Sequence, residues 1–192
     1  YGDVMEELDW STGVLLDTLR ELGLAGKTLV VFSSDNGAVV RPPKWKSSEG
    51  NFPGRNFGGS NGGLRGAKGQ TFEGGMRVPC IWWWPGRLTE GRVYGVPASS
   101  LDLFPTFVSP AGAPLPSDRV YDGRDLGPLL RGKPGAMPTP PFFYYFGAQL
   151  QAVRLGEWKL FLQIANAPQP APRSLWYEHQ PTLAERHHRL WP

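Results

Sequence analysis

The feature that most constrains this chain is the run Leu29-Val30-Val31-Phe32, four apolar residues without polar alternation, which ends in Ser33-Ser34-Asp35-Asn36-Gly37. A strand that is apolar on both faces has to be covered on both, as in a parallel sheet flanked by helices. The preceding segment supplies a helix. Asp3 is placed to cap it, with Glu6 three residues on as its capping-box partner. Val4, Leu8, Leu15, Leu19 and Leu22 follow at helical steps and make one apolar stripe. Gly23 offers the left-handed stop. Helix, tight turn and buried strand form half of an α/β unit, and open α/β sheets bind ligands just beyond the carboxyl ends of their strands. Asp35 and Asn36 therefore stand where chemistry is expected.

Residues 38–67 are rich in Gly, Asn and Ser, and include Gly58-Gly59-Ser60-Asn61-Gly62-Gly63. A loop of that length inside a compact domain is usually functional or mobile. It leads to Lys68-Gly69-Gln70-Thr71-Phe72-Glu73-Gly74-Gly75 and then to the apolar run 78–84, read as a second buried strand ended by Pro85-Gly86. Ser99 or Ser100 can cap a short helix through Leu101, Leu103, Phe104, Phe107 and Val108, with Pro105 in its first turn. Further on, residues 142–146, 150–154 and 158–162 read as a smaller β layer, the last two joined as a hairpin through Leu155-Gly156-Glu157. Beyond Ala165 the chain is Pro-rich and polar, as in a surface tail. It opens at Tyr1 within structured sequence, so an internal piece of a longer protein is expected.

Hydrophobic residues make up 40% of the 192, with Trp 8, Phe 10 and Tyr 6, enough for a core; disorder and collagen-like repetition are excluded for the whole chain. No apolar run approaches the roughly 20 residues that cross a bilayer. One Cys excludes an internal disulfide framework and a multi-cysteine zinc site, and Cys80, inside an apolar run, reads as an inert core thiol. The net charge of +3 is spread along the chain, which admits an anionic substrate without pointing to nucleic acid.

Asp35 and Asn36 offer a carboxylate and an amide oxygen, hard ligands suited to Ca²⁺ or Mg²⁺. Neighbouring side chains reach one ion only where the chain turns, which Gly37 permits; the same tripeptide is also an ordinary turn. Lys68 is a cation in a loop rich in backbone N–H groups, a setting that suits sulfate or phosphate and equally a solvated surface lysine. His179, His187 and His188 fall in the polar tail without acidic or Cys partners at ligand spacing. Trp82-Trp83-Trp84 is explained by core packing, with sugar stacking as the alternative.

Taken in order, these pieces resemble the sulfatase family. The resemblance runs from residue 1 to about residue 162. It rests on the helix 1–23, the strand ending in Ser34-Asp35-Asn36-Gly37, and Gly66-Ala67-Lys68-Gly69-Gln70-Thr71-Phe72-Glu73-Gly74-Gly75-Met76-Arg77-Val78-Pro79. Trp84-Pro85-Gly86, Ser99-Ser100-Leu101-Asp102-Leu103-Phe104-Pro105-Thr106 and Asp122-Gly123 complete it. Residues 58–62 and 71–77 look most like the arylsulfatase A and N-acetylgalactosamine-6-sulfatase branch.

The resemblance implies an α/β fold, the C-terminal part of an alkaline-phosphatase-like sulfatase fold with a smaller antiparallel β-rich C-terminal layer. It divides the chain into the large domain's portion at 1–115, a subdomain at 116–165 and a tail at 166–192. It makes Asp35 and Asn36 ligands of a divalent cation, Ca²⁺ with Mg²⁺ as the alternative, and Lys68 the contact to the substrate's sulfate. The family's nucleophile is a formylglycine made from a Cys/Ser-x-Pro-x-Arg motif, which these residues do not contain; it is expected in a missing N-terminal half, so no catalytic residue is assigned here and the piece alone should be inactive. The implied substrate is a sulfated carbohydrate or aryl sulfate, with no nucleic acid and no membrane span, and a homodimer is admitted. Family members are lysosomal, periplasmic or secreted. A phosphatase or phosphodiesterase of the same superfamily and a noncatalytic sulfated-glycan binder are the alternatives.

Overall fold

The computed structural model describes residues 1–39, 46–47, 50–51, 59–133, 140–162 and 176–179. The first element, α1 (Gly2–Glu21), is capped at Tyr1 with no side-chain bond; Asp3 sits instead in the first turn, where its charge complements the helix dipole. The stop falls at Gly23, whose φ of 66° is left-handed. Gly23 N–H donates to Arg20 O at 3.0 Å and Leu24 N–H to Leu19 O at 2.8 Å, the bond pair of a Schellman motif.

A short 3-10 turn, Ala25–Lys27, leads into β1 (Val30–Ser33). The short strands β2 (Lys46–Ser47) and β3 (Gly50–Asn51) pair antiparallel. A one-turn helix, α2 (Glu73–Met76), precedes β4 (Cys80–Trp83). β1 and β4 pair antiparallel, from Val30 opposite Trp83 to Ser33 opposite Cys80. This corrects the expected setting of both apolar runs. They form a two-stranded antiparallel ribbon among the described residues, and neither is covered on both faces. Phe32 is 37% and Ile81 59% exposed, and Cys80 is an exposed thiol rather than a core one. An unbroken apolar run specifies a strand, but neither its direction nor what covers it. Likewise α1 carries its apolar stripe with no buried residue. Trp84 Nε1–H donates to Gly26 O at 3.0 Å, and the Arg20 guanidinium lies 5.5 Å from the Trp83 ring centroid; both contacts tie the ribbon to α1 and its following turn.

Ser99 caps the 3-10 turn Ser100–Asp102, as the sequence predicts, and the chain continues into α3 (Leu103–Val108). The buried Asp102 carboxylate accepts from Ser99 N–H at 2.9 Å and from Arg124 N–H at 2.7 Å. Gly123 is obligatory beside it, because a Cβ there would lie 1.9 Å from Leu101 O. Thr106 Oγ1 donates to Asp102 O at 2.6 Å and accepts from Leu126 N–H at 2.9 Å. That bond leads to α4 (Gly127–Leu130), where Leu129 and Leu130 are buried.

The last layer is a sheet in the order β5 (Phe142–Phe146), β6 (Gln149–Leu155), β7 (Trp158–Phe161), β8 (Trp176–His179). The turn between β6 and β7 is the Gly156-Glu157 pair that the sequence marks, with Gly156 at φ 57°. Along β7, Lys159 and Phe161 are fully buried while Trp158 and Leu160 are exposed, the period-two pattern of a one-sided sheet. The described residues fall into two compact units. The first holds Tyr1–Pro85 and Phe143–Ala152 with the segment that begins at Phe161; the second holds Gly86–Phe142 and Val153–Leu160. In the first unit, Phe72 and Phe161 pack with ring centroids 4.9 Å apart, and Thr71 Oγ1 donates to Gln151 Oε1 at 2.9 Å in a buried setting.

Candidate cation and anion site

The site is assembled at the end of β1. Ser33 Oγ donates to Pro79 O at 2.9 Å, fixing that end beside the entry to β4. The chain then bends, and Ser34 Oγ donates to Asn36 O at 2.9 Å. Within the bend Asn36 Nδ2 donates to Asp35 Oδ1, so the two neighbouring side chains lie together rather than on opposite sides. The other end of the Asn36 amide, Oδ1, is buried with no hydrogen-bond partner. A buried, unsatisfied acceptor costs about 1–3 kcal/mol. A hard divalent cation held between this oxygen and the Asp35 carboxylate would remove that cost, so the donor set fits such an ion. Among the described residues no group of three or more His, Cys, Asp or Glu side chains is gathered. A Ca²⁺ ion taking its usual six to eight oxygens would draw the remainder from elsewhere or from water.

The glycine-rich stretch beyond Asn61 is packed onto this bend, backbone against backbone. Gly37 N–H donates to Gly75 O at 2.9 Å and Lys68 N–H to Ala38 O at 3.0 Å, and within the stretch itself Gly74 N–H donates to Arg65 O at 2.6 Å. There is no room for side chains at the contact. A Cβ on Gly37 would lie 1.8 Å from Gly74 O, one on Gly74 2.2 Å from Gly66 O, and one on Gly75 2.1 Å from Gln70 O. Gly37 thus lets the Asp35–Asn36 bend meet the Lys68 loop, while Gly74 and Gly75 let that loop fold closely on itself. Lys68 is exposed, with its backbone one hydrogen bond from Ala38. Beneath the loop, the Arg65 guanidinium lies 4.3 Å from the Phe72 ring centroid, and Glu73 is only 2% exposed.

Sequence reasoning missed the side chain that joins these parts. Asn61 Oδ1 accepts from Ala38 N–H at 2.7 Å, and its Nδ2 donates to Gly66 O at 2.8 Å. In a Gly- and Ser-rich stretch an asparagine reads as a turn residue. Most of the preceding loop, 40–45, 48–49 and 52–58, lies outside the described residues, as do His187 and His188; His179 belongs to β8, of which only the backbone is described. On the surface, the hydrogen bond from Arg119 holds the Asp118 carboxyl below its usual value.

The profile of the family described as Sulfatase matches residues 1–113. Steryl-sulfatase of Mus musculus is 50% identical over 170 residues, covering 86% of this chain and 26% of its own length. N-acetylgalactosamine-6-sulfatase of Canis lupus familiaris is 46% identical over 159 residues, covering 83% and 28%. The chain therefore spans less than a third of these relatives. Among solved structures, the PsFucS1 sulfatase from Pseudoalteromonas sp. superimposes with a TM-score of 0.68 at 26% identity, covering 94% of this chain and 34% of that one. A Bacteroides thetaiotaomicron protein described with a glycosaminoglycan-metabolism locus shares the fold, with a TM-score of 0.67 at 24% identity, covering 98% and 42%.

Proposed function

The chain belongs to the sulfatase family by the match over residues 1–113, and from that premise we propose that it forms the cation- and sulfate-binding part of a sulfuric ester hydrolase. Asp35 and Asn36 would hold a divalent cation, Ca²⁺ or Mg²⁺. Bound there, such an ion supplies positive charge that polarises a sulfate oxygen and stabilises negative charge developing in the transition state. Lys68 binds the same sulfate through its ammonium group and orients the S–O bond to be cleaved. The Lys68 backbone is tied to the bend by its N–H bond to Ala38 O, and its ammonium group accelerates the reaction to the extent that it meets more negative charge in the transition state than in the ground state.

The observation that carries this reading is the buried, unpartnered Asn36 Oδ1 beside Asp35, in a bend hydrogen-bonded to the Lys68 loop. Residues 1–192 hold no Cys/Ser-x-Pro-x-Arg sequence, so the formylglycine nucleophile comes from outside them, in a longer chain. The names of the relatives pair sulfate with different alcohols, steryl and N-acetylgalactosamine. The sulfate ester is accordingly the element these names share, and the alcohol, for which a carbohydrate or an aryl group is proposed, is read by residues other than these three.

The test is aryl sulfate hydrolysis by the whole gene product that contains this chain, before and after chelation. Activity lost on chelation and restored by Ca²⁺ or Mg²⁺ supports the proposal. Full activity with the cation removed overturns the role given to Asp35 and Asn36, and no sulfatase activity at all overturns the function.

A further inference from the structure

We propose that Asn61 is a positioning residue that couples the cation-binding bend to the sulfate-binding lysine. The proposal rests on the reading of Asp35, Asn36 and Lys68 given above.

The geometry is specific to a primary amide. Ala38 N–H needs an acceptor and receives Asn61 Oδ1 at 2.7 Å; Gly66 O needs a donor and receives Asn61 Nδ2 at 2.8 Å. The same Nδ2 lies 3.4 Å from Ala38 O, the carbonyl that also accepts from Lys68 N–H. One side chain therefore touches the residue two places after Asn36 and the residue two places before Lys68. The amide orientation follows from the chemistry, since an N–H faces its oxygen and a C=O faces its nitrogen. Asn61 itself is part-buried, and Leu64 N–H donates to Asn61 O at 3.0 Å, which closes a turn and holds the side chain over the junction.

No other residue type satisfies both ends at this size. Aspartate keeps the acceptor for Ala38 N–H but sets a carboxylate oxygen against Gly66 O. Alanine removes both bonds. In either case the backbone bonds Gly37 N–H to Gly75 O and Lys68 N–H to Ala38 O remain, so the loops stay together, while Gly66, two residues before Lys68, loses its tie to the bend and Lys68 is held by a single bond. A displacement near 1 Å at a group that acts mainly in the transition state costs up to about a hundredfold in rate. The loss belongs in kcat, because a misplaced charge still attracts the substrate from solution.

The experiment uses the whole gene product containing this chain, with kcat and KM for an aryl sulfate measured for the parent, Asn61→Asp, Asn61→Ala, Lys68→Ala and the Asn61→Ala/Lys68→Ala pair. Thermal unfolding of each is recorded alongside. We expect Asn61→Asp and Asn61→Ala to lower kcat about tenfold to a hundredfold with KM changed less than about threefold, at an assay temperature where each variant remains folded. We also expect the double variant to be no slower than Lys68→Ala alone, since a positioning residue has nothing to do once its target is gone. Multiplicative losses in the double variant, or a kcat for Asn61→Asp equal to the parent's, overturn the coupling role while leaving the proposed function intact. A drop in rate that follows unfolding temperature in both Asn61 variants also overturns it. A parent without sulfatase activity overturns the function and this inference with it.

Discussion

Replacing Gly37 by Ala tests the close approach on which the whole site depends. The added Cβ would stand 1.8 Å from Gly74 O and 2.7 Å from Gly74 C, against ordinary contact near 3.5 Å. Both atoms are backbone, so no rotamer change relieves the overlap. The bend and the loop must separate by about 1.5 Å or more, enough to break Gly37 N–H to Gly75 O at 2.9 Å and to weaken Lys68 N–H to Ala38 O at 3.0 Å. Overpacking strain with the loss of one or two partly buried hydrogen bonds amounts to about 2–6 kcal/mol. That is a large fraction of the 5–15 kcal/mol typical of a domain. The matched control is Gly13→Ala, where the Cβ meets nothing within 4 Å in the middle of α1 and helix propensity improves by about 1 kcal/mol. Urea denaturation of residues 1–192, followed by circular dichroism, compares the two variants with the parent. The midpoint should fall for Gly37→Ala and rise slightly for Gly13→Ala. A Gly37→Ala midpoint equal to the parent's would refute the backbone-on-backbone packing.

Asp102→Ala should destabilise the chain by about 2–4 kcal/mol, because Ser99 N–H and Arg124 N–H both lose their acceptor; the same urea series reads it, with Ser99→Ala expected to cost only about 1 kcal/mol. Cys80 should react completely with a thiol reagent under native conditions, as an exposed strand residue, and should keep its thiol mass after co-expression with a formylglycine-generating enzyme. The Asp118 carboxyl should titrate below the usual aspartate value and return to it in Arg119→Ala, read by NMR. A lowered acid pKa stabilises the folded state above the unfolded value and loses that effect as pH falls through the folded one. Since the pair is fully exposed, added salt should weaken it.

Local signals were legible in the sequence wherever the cause was local. Gly23 stops α1 and Ser99 caps the turn into α3 through bonds within a few residues, and Gly156-Glu157 joins β6 to β7 across two residues. The apolar runs 29–32 and 78–84 announced strands, but pairing direction is decided by where the chain returns, and the antiparallel ribbon of β1 with β4 left Phe32, Cys80 and Ile81 outside a core. Asp35, Asn36 and Lys68 were found as candidates from residue type and resemblance. What brought their backbones together, the contact among Gly37, Gly74 and Gly75 and the Asn61 bridge, is nonlocal, and glycine in a loop looks the same whether it turns or is tightly packed. Asp102 had a readable signal, the Ser-x-x-Asp capping-box spacing before an apolar run, although its second partner, Arg124, is 22 residues away.

In the proposed function, a cation at Asp35–Asn36 and the charge of Lys68 act on one sulfate. The most direct test is the kinetics of aryl sulfate hydrolysis by the whole gene product carrying Asp35→Ala or Lys68→Ala. Asp35→Ala should abolish turnover, and Lys68→Ala should lower kcat about a hundredfold to a thousandfold, the usual cost of removing one oxyanion-stabilising group. A fully active Asp35→Ala enzyme, or a Lys68→Ala enzyme with the parent's kcat, would contradict the proposed function.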